Sequence, residues 1–371
     1  MKLILYNSNI IHIGGIETLD YNWCKQLSKY YDILLLYKNC NYEQLERLSE
    51  YVEFEQYSPE KQYDCDICIS MTSWNGYPDS VTASTGRYIQ VIHANYKELL
   101  KINYRYIPWY KTTEHLAVSD TVRDIFNELY NENAITMYNI LDELQDVKPI
   151  IIPKTDNVLK LVSATRLSGE KGYNRMIILA KELKKRKIKF IWLIFTDLDV
   201  YKINKLEMDE IIYMNPTYNI FPYLLWADYG VQLSDTEGYS YFVNECLQYG
   251  TAMLITNFDS AKESVIDGYS GYLFNMEMSN LDIDKIVNNI PKEFKYTPKA
   301  TIQDWIDYLG GAELKEIKVN PIRNRDTLEI KASNKYKDKA LKRTIIRNEK
   351  VIMSRERAKL VCMSGYGDVV E

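Results

Sequence analysis

Short apolar runs alternate with amphipathic segments along the first 310 residues of the chain. Apolar runs of this length read as buried strands, and the segments between them have the spacing of helices. This alternation predicts parallel sheets covered by helices, an α/β fold. The predicted strands are Lys2–Tyr6, Ile33–Tyr37, Ile67–Ser70, Tyr88–Ile92, Leu159–Ala164, Phe190–Phe195, Ile211–Asn215, Tyr229–Leu233 and Ala252–Thr256.

The pattern occurs twice, separated by a segment at Asp146–Asn157 that contains two prolines and several polar residues. Such a segment is typical of a linker between domains. A chain of 371 residues is long enough for two domains with their own cores. We therefore expect one domain at residues 1–148 and a second at residues 149–314.

Two of the predicted strands lead into glycine-containing loops that precede a helix. Tyr229–Leu233 is followed by polar residues up to Gly238 and by a helical pattern that ends before Gly250. Lys2–Tyr6 leads into a loop with Gly14 and Gly15, and then into a helical pattern at Thr18–Tyr30. A helix N-terminus after a glycine loop suits a phosphate, because unpaired N–H groups point at the ligand.

Glu237 lies in the first of these loops, and Glu245 lies in the helix that follows, with seven residues between them. This block resembles the Glu-x7-Glu element of retaining family-4 glycosyltransferases. The resemblance implies the GT-B fold, with two Rossmann-like domains facing a cleft. It also implies that Glu237 contacts the donor sugar and that Glu245 binds the ribose hydroxyls. The backbone N–H groups of Gly238, Tyr239 and Ser240 would lie near the phosphates.

Further segments up to about residue 310 resemble the same family. Arg166-Leu-Ser-Gly-Glu-Lys171-Gly is similar to its Arg-Leu-x-x-x-Lys-Gly segment, and Gly14-Gly15-Ile-Glu17 to its Gly-Gly-x-Glu loop. Arg166 and Lys171 would stabilise the negative charge of the diphosphate. His93 follows a strand where family members often have a sugar-contacting histidine; a structural histidine is the alternative.

Other residues follow from the same resemblance. The strand end at Met214 would lie against the nucleotide base, and Glu263 would stabilise the domain arrangement. A helix near Thr301–Tyr308 would return to the first domain. The resemblance therefore implies His93, Arg166, Lys171 and Glu237 as catalytic residues, and Gly14, Gly15, Met214, Gly238, Tyr239, Ser240 and Glu245 as donor-binding residues.

Cofactor chemistry receives little support from the sequence. Cys65 and Cys68 form a Cys-x-x-Cys pair inside a strand pattern without a second pair or histidine cluster, so we interpret them as structural thiols. Asp64 and Asp66 lie in the same strand, and Asp197-Leu-Asp199 has little support as a metal motif. We expect no metal and no cofactor beyond the nucleotide-sugar substrate.

Residues 315–371 differ in composition from the rest of the chain. They carry 15 basic and 8 acidic residues, whereas the whole chain has a net charge of −5. Thr327–Lys331, Lys350–Met353 and Gly365–Val370 have strand patterns and Ser354–Leu360 a helical one, which predicts a small basic β-rich module. An oligomer or protein partner is the favoured role, and no nucleic-acid motif is present.

The sequence as a whole predicts a retaining, metal-independent glycosyltransferase. It would move a sugar from a nucleoside diphosphate, with a UDP-sugar favoured, to an unknown acceptor such as a glycan, cell-wall polymer or protein. The alternatives are a non-catalytic sugar or nucleotide-sugar binding module and a sugar-nucleotide epimerase. No apolar run is long enough to span a bilayer and no signal peptide is recognisable, so we expect a cytoplasmic protein.

Overall fold

The structure is a computed structural model, and it describes most of the chain. The described residues are 1–11, 13–71, 76–153, 157–200, 205–311 and 313–314, together with the backbone of strands at 327–332, 336–338, 343–345, 350–354 and 367–370. None of the described helices is long and apolar enough to cross a membrane.

The first half of the chain forms a seven-stranded parallel sheet with the strand order β3-β2-β1-β4-β5-β6-β7. Its strands are β1 Lys2–Ile10, β2 Asp32–Cys40, β3 Glu53–Gln56, β4 Tyr63–Ser70, β5 Val81–Ile92, β6 Glu114–Ala117 and β7 Ile135–Thr136. The helices are α1 Gly15–Leu27, α2 Tyr42–Leu48, α3 Tyr96–Lys101 and α4 Asp120–Tyr130.

The second half forms a six-stranded parallel sheet with the order β10-β9-β8-β11-β12-β13. Its strands are β8 Leu159–Ala164, β9 Phe190–Phe195, β10 Ile211–Met214, β11 Tyr229–Gln232, β12 Ala252–Thr256 and β13 Gly271–Phe274. The helices that follow in the chain are α5 Tyr173–Lys185, α6 Phe221–Trp226, α7 Tyr241–Gln248, α8 Ile283–Asn288 and α9 Ile302–Leu309. The α/β prediction with two Rossmann-like domains is confirmed.

Strand β1 is longer than the sequence predicted. Asn7, Ser8 and Asn9 were expected to start a loop because they are polar, but β1 continues to Ile10. Asn7 and Asn9 pair with Tyr37 and Asn39 of β2, and Asn7 is fully buried. Backbone pairing and side-chain hydrogen bonds therefore outweigh the polar character of these residues.

Helix α1 begins earlier than predicted. Gly14 is its N-cap, and the Gly14 carbonyl accepts hydrogen bonds from the backbone N–H and the hydroxyl of Thr18, at 2.9 and 2.8 Å. The helix consequently starts directly at the glycine pair.

The C-terminal strands form two small sheets. β14 Thr327–Ala332 pairs antiparallel with β17 Lys350–Ser354 and β18 Gly367–Val370, and β15 Tyr336–Asp338 pairs with β16 Arg343–Ile345. The three strands predicted in this segment match β14, β17 and β18. The helix predicted at Ser354–Leu360 lies outside the described residues, except for Ser354, which ends β17.

Helix α9 returns to the first sheet, as expected for Thr301–Tyr308. The rings of Trp305 and Trp23 pack edge to face with 4.3 Å between their centroids, and both side chains are buried. Arg87 donates to the backbone carbonyls of Tyr308 and Leu309 and binds Glu114 at 2.8 Å. The chain after the second sheet therefore contributes to the core of the first.

Glu263 joins the two halves of the molecule. It lies in the loop between β12 and β13, and its carboxylate accepts from the N–H groups of Asp120 and Thr121 at 3.1 and 2.8 Å. The Tyr138 hydroxyl donates to the same carboxylate at 2.6 Å. A carboxylate at the N-terminus of α4 satisfies N–H groups that have no partner within the helix.

Replacing Glu263 by Ala is expected to destabilise the fold by about 2 kcal/mol, because these N–H groups lose their acceptor. Chemical denaturation measures the change in the free energy of unfolding. Glu128→Ala is the matched control, since Glu128 is an exposed residue of the same helix. Equal stabilities of the two variants would contradict the interpretation.

Candidate active site between the two sheets

The loop between β11 and α7 has the predicted strand–loop–helix form. Ser240 is the N-cap of α7, and its hydroxyl accepts from the Val243 N–H at 3.3 Å. Gly250 follows the helix and has a φ of +77°, in the left-handed region that often ends a helix. Residues 234–240, here called the donor loop, connect the strand to this helix.

Glu237, in the middle of the donor loop, forms an ion pair with Lys171. Lys171 Nζ lies 2.7 Å from Glu237 Oε1, and the Gln232 side-chain amide donates to the same oxygen at 2.5 Å. The Glu237 side chain is 13% exposed, so this ion pair is largely shielded from water. The structure thus brings together two of the predicted catalytic residues, and each offsets the other's charge.

Arg166 lies outside this arrangement. Its side chain is 58% exposed, and its guanidinium binds Glu170 at 3.3 Å. Arg166 is therefore free to reorient at little cost, because exposed ion pairs contribute little stability.

Arg175 fixes the start of the donor loop. Its Nε donates to the Leu233 carbonyl at 2.7 Å, and its Nη2 pairs with Asp235. The Ser260 hydroxyl donates to the Glu237 carbonyl at 2.8 Å. Arg175 and Ser260 were not predicted from the sequence, because their contacts join segments 58 and 23 residues apart. Gln232 lies only five residues from Glu237, but it belongs to a run that was interpreted as a buried strand.

The donor loop also packs against the first domain. Ser119 donates to the Gly238 carbonyl at 2.9 Å, and Asn139 donates to the Tyr239 carbonyl at 3.2 Å. The side chains of Tyr239 and Tyr241 are buried in the core of the first sheet, and the Tyr241 hydroxyl donates to the Ile140 carbonyl at 3.1 Å. The loop is held by hydrogen bonds from both halves of the molecule.

The backbone N–H groups of Gly238, Tyr239 and Ser240 have no hydrogen-bond acceptor among the described residues. They are consecutive and precede the N-terminus of α7. Successive free N–H groups at a helix N-terminus make a favourable position for an anion.

Several hydroxyl groups near the ends of the second sheet's strands are buried without a partner among the described residues. They are the side chains of Thr196, which follows β9, and of Ser234 and Thr236 in the donor loop. Buried hydroxyls normally have a hydrogen-bond partner, so each of these three can still form a hydrogen bond with a further group.

His93 follows β5 and touches the donor loop through its backbone. A Cβ on Gly238 would lie 2.0 Å from the His93 carbonyl oxygen. The buried His93 Nε2 has no partner among the described residues. Burial lowers the pKa of His93 to about 4, although a hydrogen bond to the Met71 backbone acts in the opposite direction. The imidazole is therefore neutral at pH 7.

Glu245 lies in α7 and faces the first domain. Its carboxylate has no hydrogen-bond donor among the described residues. Burial raises the pKa of Glu245 to about 7, and the nearby Asp142 acts in the same direction, whereas Arg47 lowers it. The Glu245 side chain is half-buried, so its carboxylate is accessible to a hydrogen-bond donor from a ligand.

The remaining predicted residues lie around this region. Gly14 and Gly15 open α1, which packs against α7. Met214 ends β10 and is partly buried, in contact with the apolar cluster around α6 and α7. Among the described residues, no group of three histidine, cysteine, aspartate or glutamate side chains has the arrangement of a metal site. Cys65 and Cys68 are buried in β4, as expected for structural thiols.

Gly238→Ala is expected to destabilise the protein by about 2 kcal/mol, because the added Cβ collides with the His93 carbonyl. Chemical denaturation checks this value. Gly169→Ala is the control, since a Cβ at Gly169 meets nothing within 4 Å. A Gly238→Ala variant as stable as Gly169→Ala would show that the loop does not approach the first domain this closely.

The pKa of His93 should be about 4 in the folded protein, which is below the usual value for histidine. Because the folded-state pKa is lowered, neutral His93 contributes stability that is present above pH 6.5 and lost as the pH falls towards 4. NMR titration of the imidazole, assigned with His93→Gln, measures the pKa directly. A midpoint near 6.5 would contradict the buried environment.

The comparisons with known proteins agree with this architecture. A model of the family described as glycosyl transferases group 1 matches residues 145–300. No curated protein matches the sequence.

Solved structures of glycosyltransferases share the fold at low sequence identity. Anabaena HepE in complex with UDP-glucose is 13% identical, with a TM-score of 0.54, and the match covers 78% of this chain and 89% of that one. A variant of S. aureus TarM, in complex with Fondaparinux, α-GlcNAc-glycerol and UDP, is 12% identical, with a TM-score of 0.57 and coverages of 84% and 100%. The lipopolysaccharide outer core galactosyltransferase WaaB is 14% identical, with a TM-score of 0.52 and coverages of 78% and 89%. The chain therefore has the two-domain GT-B fold of glycosyltransferases, and its second half matches the glycosyl transferases group 1 model.

Proposed function

We propose that this protein is a retaining glycosyltransferase of family 4 that uses a nucleoside-diphosphate sugar, with a UDP-sugar favoured. The observation that carries the proposal is the donor loop, where three free N–H groups adjoin the Glu237–Lys171 pair at the N-terminus of α7. The presence of UDP or UDP-glucose in the HepE and TarM structures supports UDP as the nucleotide.

The donor diphosphate would bind the N–H groups of Gly238, Tyr239 and Ser240, where the helix dipole also favours negative charge. Lys171 and the exposed side chain of Arg166 would add positive charge, which stabilises the leaving group most as it becomes more negative. Glu245 would accept hydrogen bonds from the ribose hydroxyls, and Met214 would lie near the base. The Gly14–Gly15 turn would face the donor from the first domain.

Glu237 would accept hydrogen bonds from the sugar hydroxyls, while Lys171 and Gln232 hold its carboxylate in place. His93, neutral at pH 7, would present its unpartnered Nε2 to the sugar. In the transfer step, the bond between the anomeric carbon and the phosphate oxygen breaks and a bond to the acceptor hydroxyl oxygen forms on the same face. The acceptor proton passes to the donor phosphate, so the step requires no metal or protein nucleophile.

Nucleotide binding is tested by thermal stabilisation with UDP, GDP and ADP. At about 100 times its dissociation constant, the correct nucleotide should stabilise the protein by about 2.7 kcal/mol. Glu245→Ala is expected to abolish this shift, because the ribose loses its acceptor. Glu293→Ala, at an exposed residue, is the control. No shift with any nucleotide would overturn the proposal.

Catalysis is tested separately by the release of UDP from UDP-sugars. Glu237→Gln is expected to lower turnover about 100-fold or more, with the affinity for UDP changed only a few-fold, since the sugar and not the nucleotide loses its partner. Binding of UDP without turnover in the native chain would favour a non-catalytic binding module. An isomerised UDP-sugar formed without acceptor would indicate an epimerase.

The cytoplasmic location and the protein partner or oligomer contact of residues 315–371 stay predictions from the sequence.

A further inference from the structure

One connection of the first domain exposes several large apolar side chains. It joins α3 to β6, and within nine residues Ile102, Ile107 and Tyr110 are 72%, 58% and 76% exposed. No other stretch of nine residues in the described part of the chain exposes three large apolar side chains. Single exposed apolar residues are common on protein surfaces, whereas a cluster of them marks an interaction surface.

The segment that carries these side chains is fixed by buried aromatic residues. Tyr106 and Trp109 of the same segment are buried. The Tyr106 hydroxyl donates to the Gln90 side chain at 2.8 Å, and the Trp109 ring nitrogen donates to Asp79 at 2.7 Å. The ring of Trp109 also stacks on that of Tyr77, with 5.4 Å between the centroids. The buried aromatic residues therefore hold the apolar residues between them at the surface.

Positive charge accompanies the apolar side chains. Lys97, Lys101 and Arg105 are exposed, and Lys111 is half-buried. Glu98 is the one acidic residue in the sequence from Lys97 to Lys111, and it pairs with Lys101 at 2.7 Å. Lys97 and Arg105 have no carboxylate partner among the described residues. This segment is therefore basic, although the whole chain has a net charge of −5.

Exposed apolar side chains beside unpaired cations match the surface of an anionic bilayer. Isoleucine and tyrosine enter the boundary between headgroups and acyl chains, and lysine and arginine bind the lipid phosphates. A second copy of the chain fits less well, because a symmetric contact would bring the same cations together. The large exposed fractions of Ile102 and Tyr110 show that these side chains protrude, which suits insertion into a deformable lipid phase.

This segment lies close to the candidate active site. Helix α3 follows His93, whose carbonyl lies against Gly238 of the donor loop. Asn95, the N-cap of α3, donates to Asp259 of the second domain at 2.6 Å. At 1.5 Å per residue, α3 is about 9 Å long. A bilayer bound at the end of α3 is therefore near the entrance to the site.

We propose that this face of the first domain binds the surface of an anionic lipid bilayer. The docking face consists of exposed apolar and basic residues, which are Lys97, Lys101, Ile102, Arg105, Ile107 and Tyr110. Its apolar side chains enter the headgroup region, and its cations contact lipid phosphates. Binding to lipid requires no nucleotide, so its test is independent of the proposed function.

Co-sedimentation with sucrose-loaded vesicles tests the contact. Vesicles of phosphatidylcholine are compared with vesicles of equal parts phosphatidylcholine and phosphatidylglycerol. The native chain should bind the anionic vesicles at least about tenfold more tightly, and added salt should weaken the binding because it screens the charges. Arg105→Glu should lower the affinity about 30-fold, because the charge changes by two. The double variant Ile102→Ser/Ile107→Ser should lower it about tenfold, because two apolar side chains no longer enter the bilayer.

Lys292→Glu and Ile151→Ser are the matched controls, because Lys292 and Ile151 are exposed residues outside the docking face. Both should bind the anionic vesicles as the native chain does. Unchanged binding of the docking-face variants would assign the membrane contact to another part of the chain and overturn the inference. If one of these variants does not fold, the other decides.

The native chain itself can also overturn the inference. A failure to sediment with either kind of vesicle would do so. Sedimentation velocity tests the alternative occupant: a native dimer that becomes a monomer in Ile102→Ser/Ile107→Ser, without vesicle binding, would identify the docking face as a contact between two copies of the chain.

Discussion

The contact between the donor loop and the first domain is the constraint on which the rest of the site depends. Gly238 lies so close to the His93 carbonyl that no side chain fits there, and Ser119 binds the Gly238 carbonyl. The side chains of Tyr239 and Tyr241 are buried in the core of the first sheet, so the loop cannot move without disturbing that core. The free N–H groups of the loop are therefore held in place before a ligand arrives, which lowers the entropy cost of binding.

Charge is distributed unevenly around this contact. Lys171 and Glu237 offset each other's charge in an ion pair that is largely shielded from water. The buried Nε2 of His93 has no partner among the described residues, and a buried polar group without a partner costs stability unless a ligand binds it. Glu263, in contrast, has three donors and fastens the domains at a distance from these groups. Stability and binding thus use different carboxylates of the second domain.

Much of the fold follows from the sequence, since the apolar runs that become the main strands are short and regularly spaced. The Glu237–Lys171 contact could be anticipated only by resemblance, because the two residues are far apart in the sequence. The pattern failed at Asn7–Asn9, where sheet pairing buries polar residues. It also gave no indication that Arg47 of the helix Tyr42–Leu48 reaches the second domain, where its guanidinium lies 4.0 Å from the ring centroid of Tyr218.

The central claim is that the donor loop binds the diphosphate through its backbone. Amide hydrogen exchange with and without saturating UDP tests this directly. The account predicts slower exchange at Gly238, Tyr239 and Ser240, because their N–H groups gain acceptors. Bound UDP that leaves these amides unchanged, and protects a different part of the molecule, would contradict it.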